Sequence, residues 1–428
     1  MENAKKRIVI TGMAINTPLG DTLDAYFDNL IAGKSAIRHW ICVDTSGVYS
    51  KVGGDLSDYD FETKLATLAG AMPEDVHKRL RKLVRRAPFS TKLSLLCAAD
   101  AYLDAGLHGS VDPTRHAVVV GGHNLNKLYL HENYVQFVEE PDFIDSMASM
   151  LSLDTDHAAS VAEMLGIHGA IYTVGGACAS GNVALRNAVD EIRYHDYDVA
   201  LVVGAALEYA PMDLHAMCLM GAISFQSFND EPSKASRPYD TRREGFVPSH
   251  GSGALVVESL DHARARGARI HAEVLGVTAM SDGCHLPTPS MEGQARTMTR
   301  LLKQAGVRPE EIDFVSAHAT STPLGDLSEL SAIKRVFGEH ARKLKINAPK
   351  SMLGHTCWSA PTVETVAAIM QMKRGFLHPS INIENLDPGV DLDVCANRPV
   401  RHEVRCFLKN SFGFGGINCC CIMRRPEA

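Results

Sequence analysis

The sequence predicts an α/β protein in which helices cover both faces of its sheets. Short, almost continuously apolar runs rich in β-branched residues alternate with segments whose apolar residues recur at helical spacing. Strands of this kind are buried on both faces, as in sheets that lie between layers of helices. A chain of 428 residues is long enough to form two or more domain-sized cores. We therefore expect a layered α/β architecture.

Two kinds of pattern define the predicted elements. Apolar, β-branched runs predict strands at residues 8–11, 117–120, 171–174, 199–203, 254–258, 314–317 and 419–423. Apolar residues at helical spacing predict helices at residues 23–32, 92–105, 182–194, 296–305, 327–336 and 363–373. A new series of strands and helices begins near Arg269. We therefore expect two closely packed halves, residues 1–268 and 269–428, rather than two separable domains.

The composition limits the function classes. Hydrophobic residues make up 45% and charged residues 22% of the chain, which is ordinary for a soluble globular protein. The net charge of −7 predicts no bulk attraction to nucleic acid or to an anionic membrane. No apolar stretch approaches the roughly 20 residues of a membrane span. The N-terminus runs into a strand-like segment without a signal-peptide pattern, so we expect a cytoplasmic protein whose eleven cysteines are reduced.

Cys178 lies among small residues between a predicted strand and the helix predicted at residues 182–194. At the start of a helix, unpaired N–H groups and the helix dipole favour a thiolate. The small neighbours leave room for a thioester. Most cysteines in a cytosolic chain are small buried hydrophobes, so a structural role is the alternative interpretation.

Two histidines stand near predicted strand ends among small or hydroxyl residues. His318 lies in the segment 316–326 and His355 ends the segment 350–355. A neutral imidazole in such a place can donate a hydrogen bond to a carbonyl oxygen or transfer a proton. A structural histidine is the alternative for each of them.

The segment 410–418 is rich in glycine, with Gly413, Gly415 and Gly416 close together. Such a turn lets the backbone approach a ligand, and its N–H groups can hold an oxyanion. The run does not match the dinucleotide-binding pattern, which disfavours a nucleotide site.

The three cysteines at 419–421 lie on a predicted strand, where neighbouring side chains point to opposite faces, so we interpret them as packing residues rather than metal ligands.

Together these segments resemble the β-ketoacyl-acyl carrier protein synthases, the condensing enzymes of fatty acid and polyketide synthesis. The resemblance is closest to the elongating type with a Cys-His-His triad. Four motifs, at residues 177–181, 318–326, 350–355 and 410–416, occur in the family's order, and the resemblance covers essentially the whole chain. It implies a thiolase fold, with two similar α/β halves in a five-layer α-β-α-β-α arrangement, usually as a homodimer.

The resemblance also implies catalytic roles. Cys178 would take an acyl group from the phosphopantetheine arm of an acyl carrier protein. A malonyl-type extender on a second carrier would then lose carbon dioxide, with His318 and His355 stabilising the enolate. The backbone N–H groups of Cys178 and Phe414 would hold the oxyanion of the condensation, and Lys350 would organise the histidines electrostatically.

Substrate contacts follow from the same resemblance. Thr320 and Thr322 would lie along the tunnel of the pantetheine arm. Phe414 would gate the acyl and malonyl pockets, with Gly413 and Gly415 beside it in the substrate site. The reaction implied needs no metal and no tightly bound cofactor, because the carrier's phosphopantetheine arm brings the substrate.

The chain departs from the family's pattern around the site. Gly175 and Gly176 stand where Asp-Thr is common, and Trp358 stands near His355 where the family usually has glycine. Trp358 must reshape the substrate pocket or pack behind it. We therefore expect a specialised pathway, such as polyketide or polyene assembly, with an unusual acyl substrate.

A basic segment suggests a surface for the carrier protein. Residues 78–86 include six basic residues in nine, on an otherwise acidic chain. The candidate docking residues are Arg81, Lys82, Arg85 and Arg86. A solvated helix face is the alternative interpretation.

Three other functions compete with condensation as interpretations of these residues. The enzyme could only decarboxylate malonyl carriers or only transfer acyl groups to initiate chains, although Cys178 is unnecessary for pure decarboxylation. It could be a thiolase acting on coenzyme A thioesters, although the histidine loop and Gly413–Gly416 segment favour the carrier-protein branch. A non-catalytic chain-length factor typically loses the nucleophile, so a heterodimer would have this chain as its active member.

Overall fold

The computed structural model describes residues 6–41 and 43–427. Its strands are β1 Ile8–Asn16, β2 Arg38–His39, β3 Val52–Gly53, β4 His116–Gly121, β5 Ile171–Val174, β6 Val199–Gly204, β7 Ser252–Ser259, β8 Ala272–Ser281, β9 Phe314–Ser316, β10 Lys345–Asn347, β11 Phe376–Leu377, β12 Val400–Arg401, β13 Cys406–Gly413 and β14 Ile417–Arg424. Its α-helices are α1 Leu23–Ile31, α2 Phe61–Leu68, α3 Glu74–Val84, α4 Phe89–Ala105, α5 Lys127–Glu139, α6 Ala148–Leu151, α7 Thr155–Leu165, α8 Ser180–Tyr194, α9 Pro211–Leu219, α10 Leu260–Ala265, α11 Met291–Ala305, α12 Pro323–Phe337, α13 Lys350–Leu353 and α14 Ala360–Arg374. These helices offer no segment long and apolar enough to cross a membrane.

Ten of the strands form two five-stranded units with the same topology. The first unit has the order β5-β4-β6-β7-β1 and the second has the order β10-β9-β13-β14-β8. In each unit the outermost three strands are parallel, and the last two pairings are antiparallel. Antiparallel pairing of β1 with β8 joins the units, with Ile8 opposite Val274. The chain passes from one unit to the other between Ala265 and Ala272, and the boundary at residue 268 stays a prediction.

Helices lie on both faces of each unit, which gives five layers. The central layer contains α8 and α14, which contact each other and strands of both units. Helices α4 and α7 cover the outer face of the first unit, and α11 covers the outer face of the second with α12 packed on it. Three large clusters of buried apolar side chains fill the spaces between these layers. The predicted α-β-α-β-α arrangement is confirmed.

The sequence patterns locate the apolar elements and miss the polar ones. All seven predicted strands and all six predicted helices are present, most of them longer than predicted. Strands β8 and β13 are not predicted, although both lie inside the sheet. Their buried faces carry polar residues such as Glu273 in β8 and Lys409 in β13, which interrupt the apolar runs that indicate a strand.

Equivalent turns begin the two central helices. Short 3-10 turns at Ala177–Ala179 and Cys357–Ser359 lead into α8 and α14. Each starts with a non-glycine residue at positive φ, 46° at Ala177 and 50° at Cys357. The repeated topology therefore places Trp358 of the second half where the first half has Cys178.

Candidate active site

Cys178 lies at the start of α8, as the sequence predicts. The turn is held by the Ser180 hydroxyl, which accepts a hydrogen bond from the Gly176 N–H at 2.9 Å and donates one to the Ala177 carbonyl at 2.7 Å. The Cys178 side chain is buried, with a residue exposure of 5%. The helix start places unpaired N–H groups and the positive end of the α8 dipole beside the sulfur.

The glycine-rich turn packs directly against this nucleophile turn. A Cβ atom on Gly413 would lie 2.7 Å from the Gly176 carbonyl oxygen and 3.2 Å from the Cys178 nitrogen. Only glycine allows β13 to approach so closely without displacing the turn. Strand β13 ends at Gly413, and the turn that follows carries Phe414 to the mouth of the site.

A cavity of about 420 Å³ ends at Cys178. Among the predicted site residues, its walls include Cys178, His318, His355, Thr320, Thr322, Gly413 and Phe414. Of the residues that the structure describes, those lining the cavity do not include Lys350, Gly415 or Trp358. Exposed apolar side chains of Met220, Leu286 and Leu324 surround the opening. The structure thus gathers the three predicted triad residues at the inner end of one tunnel.

The two histidine rings lie edge to face, with centroids 5.4 Å apart. The His355 Nδ1 accepts the Cys357 N–H at 3.3 Å, which places the ring proton on Nε2. Within the described part of the chain, His355 Nε2 and His318 Nδ1 are buried and have no partner. Unpaired buried polar atoms are costly, so these rings are prepared for a hydrogen-bonding ligand.

Both imidazoles are held in the neutral form. Burial, followed by the positive charges of Lys350 and Lys409, lowers the pKa of each ring well below the ordinary value of 6.5, and the His355 ring also lowers that of His318. A neutral imidazole with a free N–H can donate to a carbonyl oxygen that gains negative charge.

A buried charged network supports the histidine loops. Lys350 donates from Nζ to the His318 carbonyl at 2.6 Å and forms an ion pair with Glu364. Glu329 accepts the backbone N–H groups of His318 at 2.9 Å and Ala319 at 2.8 Å. Burial lowers the pKa of Lys350, and Glu364 opposes that effect. Lys350 therefore fixes the histidine loop from behind, as an electrostatic and positioning group.

The Cys178 sulfur rests as a thiol with groups around it that favour negative charge. Burial raises the pKa of Cys178 well above its ordinary value, and nearby Cys357 adds to the rise. The charge of Lys350 and the backbone N–H groups of Phe414 and Cys178 oppose it. These two N–H groups converge at the sulfur, where an oxyanion would form on a bound thioester.

Comparison with known proteins identifies the family. The model for the N-terminal domain of β-ketoacyl synthases matches residues 5–263, and the model for the C-terminal domain matches residues 271–384. The chain belongs to the β-ketoacyl synthase family. The predicted family, the thiolase fold and a condensing enzyme of the acyltransferase class are confirmed.

Individual relatives cover nearly the full chain. The synthase is 35% identical over 422 residues to the chloroplastic 3-oxoacyl-[acyl-carrier-protein] synthase I of Arabidopsis thaliana, covering 97% of this chain and 85% of the relative. It is 30% identical over 413 residues to the polyketide biosynthesis malonyl-ACP decarboxylase PksF of Bacillus subtilis, covering 96% and 94%. The solved ishigamide ketosynthase/chain length factor is similar at a TM-score of 0.88 with 30% identity, covering 99% of this chain and all of that one.

In this synthase Trp358 stacks on His123 behind the nucleophile turn. The ring centroids are 4.4 Å apart at an interplanar angle of 22°. A Cβ atom on Gly175 would lie 3.1 Å from the His123 ring. The unusual glycine at 175 and the unusual Trp358 thus both lie against the same imidazole. The Trp358 Nε1 is buried without a partner among the described residues.

The basic segment of the synthase forms α3 and the turn after it. Arg81, Lys82, Arg85 and Arg86 are exposed, and Lys82 lies 3.6 Å from Glu163. Arg79 instead has a structural role, because its side chain joins α3 to α7 by donating a hydrogen bond to the Met164 carbonyl at 2.9 Å. These four side chains, and that of Lys78, therefore remain accessible to another protein.

Sequence patterns miss four residues of the site. They are Glu329, Glu364 and Lys409 of the charged network and His123 of the aromatic stack. A charged residue within an otherwise apolar helix or strand is the signal that could have indicated the first three, since such residues are rarely buried without a specific partner.

We expect the substitution Glu329→Gln to impair the histidine step selectively. The glutamine amide has one acceptor oxygen where the carboxylate has two, so its NH2 group would face the backbone N–H of either His318 or Ala319 and leave that buried donor unpaired, at about 1–3 kcal/mol. The rate of malonyl-carrier decarboxylation should fall about tenfold or more, while acylation of Cys178 changes little. Glu339→Gln, on an exposed residue just after α12, is the control. Equal loss of both reactions would contradict this role.

Proposed function

We propose that this synthase extends an acyl chain by decarboxylative condensation with a malonyl-type unit carried by an acyl carrier protein. The observation that carries the proposal is the tunnel that ends at Cys178 with His318, His355 and Phe414 on its walls. One tunnel can deliver two successive thioesters to the same sulfur. The family supports the reaction type, and the names of the relatives support fatty acid or polyketide synthesis.

The first step moves an acyl group to Cys178. The sulfur attacks the thioester carbonyl of the acyl carrier, the N–H groups of Cys178 and Phe414 hold the oxyanion, and the carrier leaves as a thiol that takes the proton of the Cys178 thiol. A soft sulfur nucleophile suits exchange between thioesters. The buried site then keeps water away from the acyl-enzyme.

The second step forms the carbon–carbon bond. The malonyl thioester loses carbon dioxide, and its carbonyl oxygen gains charge as the enolate while His318 and His355 donate hydrogen bonds to it. The enolate carbon attacks the acyl carbonyl on Cys178. The carbon–sulfur bond breaks, the β-ketoacyl product stays on the carrier, and the Cys178 thiolate takes a proton from solution.

The walls of the tunnel suit a phosphopantetheine arm. The hydroxyls of Thr320 and Thr322 lie 3.2 Å apart and can exchange hydrogen bonds with the amides of the arm. Phe414, whose ring lies 6.4 Å from that of Phe246, would act as the gate. Gly415 at φ 83° gives the Phe414 turn its shape rather than a direct substrate contact. The reaction as written calls on the arm alone and on no bound cofactor.

We propose that the synthase acts as a dimer. Every side chain of α5 is exposed or only partly buried, and the exposed ones include Leu130, Tyr134, Phe137 and Val138. The nearby edge strand β5 exposes Ile171 and leaves backbone groups available for pairing. A second copy would cover this surface. A heterodimer with a chain-length-factor-like subunit is the alternative, and the ishigamide ketosynthase/chain length factor is similar to this chain.

A second function is favoured by one relative. The Bacillus subtilis protein is named a malonyl-ACP decarboxylase, and decarboxylation alone would need His318 and His355 but no acyl group on sulfur. The buried Cys178 with two N–H groups directed at it favours condensation over that alternative. Acyl transfer that initiates chains would use Cys178 without the second step.

Intact mass spectrometry with a panel of acyl carriers tests the reaction. Condensation predicts an acyl adduct on the wild-type protein, no adduct on Cys178→Ala, and a β-ketoacyl product two carbons longer when malonyl carrier is added. Cys284→Ala, on an exposed cysteine, is the matched control and should keep the adduct. An adduct without elongation would indicate an acyltransferase. Carbon dioxide release without any adduct would indicate a decarboxylase.

We propose that Trp358 and His123 limit the acyl group that Cys178 accepts. The turn that carries Trp358 packs against the nucleophile turn, and Trp358 does not line the cavity that contains the histidines. Two stacked rings there leave less room for a saturated chain than glycine would. This supports the hypothesis of a specialised pathway with an unusual acyl substrate.

We expect Trp358→Gly to shift acyl preference toward longer saturated chains. Removing the indole opens space beside Cys178, so the ratio of long-chain to short-chain acylation rates should rise by about tenfold. The measurement is competitive acylation followed by mass spectrometry. Trp358→Phe keeps a ring on His123 and serves as the control. Unchanged preference in the glycine variant would mean that Trp358 only packs the fold.

We expect charge reversal on α3 to weaken carrier transfer. The acidic surface typical of a carrier protein would lose its attraction to the double variant Arg81→Glu, Lys82→Glu, and kcat/KM for the acyl carrier should fall about tenfold at low salt. Acylation by a small acyl thioester should be unchanged. Arg300→Glu, Lys303→Glu on the exposed face of α11 is the matched control. Equal effects on both substrates would exclude docking as the role of this segment.

A further inference from the structure

The site contains a second buried lysine. Lys409 on β13 is fully buried, and its Nζ lies 2.6 Å from one carboxylate oxygen of Glu364. Lys350 pairs with the other oxygen of the same carboxylate. The Lys409 ammonium also donates to the Ser411 hydroxyl at 3.0 Å and to the Asn410 carbonyl. Two ammonium groups therefore share one buried carboxylate, and one of them, that of Lys350, also holds the backbone of His318.

Burying another charge is unfavourable in itself. Each buried ion loses several kcal/mol of solvation, and the carboxylate that Lys409 contacts, Glu364, is also paired with Lys350. A leucine or methionine would fill the same interior position without that cost. The charge at 409 is thus a feature that stability alone does not explain.

Hydrogen bonds connect Lys409 to each reacting segment. The Ser411 hydroxyl that it contacts also accepts from the Asn182 side chain at 3.1 Å, and Asn182 lies on α8 one turn after Cys178. The neighbouring Asn410 donates to Glu329 at 2.8 Å, and Glu329 holds the His318 loop. Lys409 thus lies where α8, the loop that carries His318, and β13 meet.

The histidine geometry requires neutral rings. His355 accepts the Cys357 N–H at Nδ1, so a proton at Nδ1 would bring two donors together and turn the ring. The charged or titratable groups that face Lys409 are Glu364, Lys350, Glu329, His318, His355 and the cysteines of β14. Within that set the extra ammonium disfavours a further positive charge on either imidazole.

We propose that Lys409 is a positioning residue of the condensation step: it clamps the Glu364 carboxylate together with Lys350, and its charge keeps His318 and His355 neutral and correctly oriented as the solution becomes acidic. The inference rests on the proposed function, because the histidines matter through malonyl decarboxylation. The ammonium itself does not touch the substrate.

The pH dependence of malonyl-carrier decarboxylation tests this role. Burial is the main cause of the low pKa of both rings and the charges of Lys350 and Lys409 lower it further, so activity should fall only as pH drops through that lowered pKa. In Lys409→Met and Lys409→Gln the pKa should rise, and the acidic midpoint should move up by about one pH unit. The loss should thus be about tenfold in acid and small at pH 8. Lys409→Arg, which keeps the charge, should keep the wild-type midpoint.

A charge control lies on the same sheet. Lys345→Met removes one lysine from β10, where Lys345 pairs with Asp393 away from the histidines, and should leave the midpoint unchanged. A uniform fall in rate at every pH for the Lys409 variants, with an unchanged midpoint, would show a purely structural lysine and overturn the proposal. If these variants fail to fold, the wild-type profile decides, since an acidic midpoint at or above 6.5 would also overturn it.

A second measurement separates this proposal from the reaction itself. If the wild type shows no decarboxylation at any pH, the proposed function fails. The two rings can then be titrated by NMR of isotope-labelled histidine, assigned with His318→Asn and His355→Asn. A ring pKa that rises in Lys409→Met would still support the electrostatic role, and equal values in both proteins would exclude it.

Discussion

The active site depends on close packing between the first turns of the two central helices. A Cβ atom on Gly204 would lie 1.9 Å from the Thr362 hydroxyl, and one on Gly181 would lie 3.0 Å from the Thr362 nitrogen. The starts of α8 and α14 therefore pack at backbone distance. Because Cys178 precedes one helix and His355 precedes the other, this contact brings nucleophile and donor together. The repeated topology of the halves makes such a meeting of equivalent turns possible.

This central position also determines the electrostatics. Cys178, His318 and His355 are all buried, so each ring favours its neutral form and the sulfur favours the thiol. Fixed groups around the site favour negative charge. They are the N-terminus of α8, the two N–H groups at the Cys178 sulfur and the ammonium groups that pair with Glu364. Groups that are already oriented need no rearrangement when charge develops on a thioester oxygen. Burial and preorganisation are thus two results of one packing arrangement.

The sequence predicts the features of the site that depend on residues close together in the chain. Cys178 is found because a strand, small residues and a helix surround it, and the glycine turn is found because its composition is unusual. Glu329, Lys409 and His123 acquire their roles through residues far away in the chain, such as Asn410, whose side chain donates to the Glu329 carboxylate at 2.8 Å. Strand β13 escapes prediction for the same reason, since its polar residues serve the site instead of an apolar core. Trp358 is an intermediate case: the sequence shows that a tryptophan stands where the family usually has glycine, and only the structure shows that it stacks on His123.

The positions at which this chain departs from the family's sequence pattern surround the active site, and the reacting groups themselves are unchanged. Two of these departures, Gly175 and Trp358, meet at His123: a Cβ atom at position 175 would lie 3.1 Å from the His123 ring, and Trp358 stacks on that ring. Lys409 is a separate feature near the histidines, a second buried lysine that is connected to them through Glu364. We propose that the first group limits the space available to the acyl group and that Lys409 affects the charge felt by the imidazoles. The sulfur, the two neutral imidazoles and the two N–H groups of a condensing site are all present, so we expect these features to affect which acyl group is used and under which conditions.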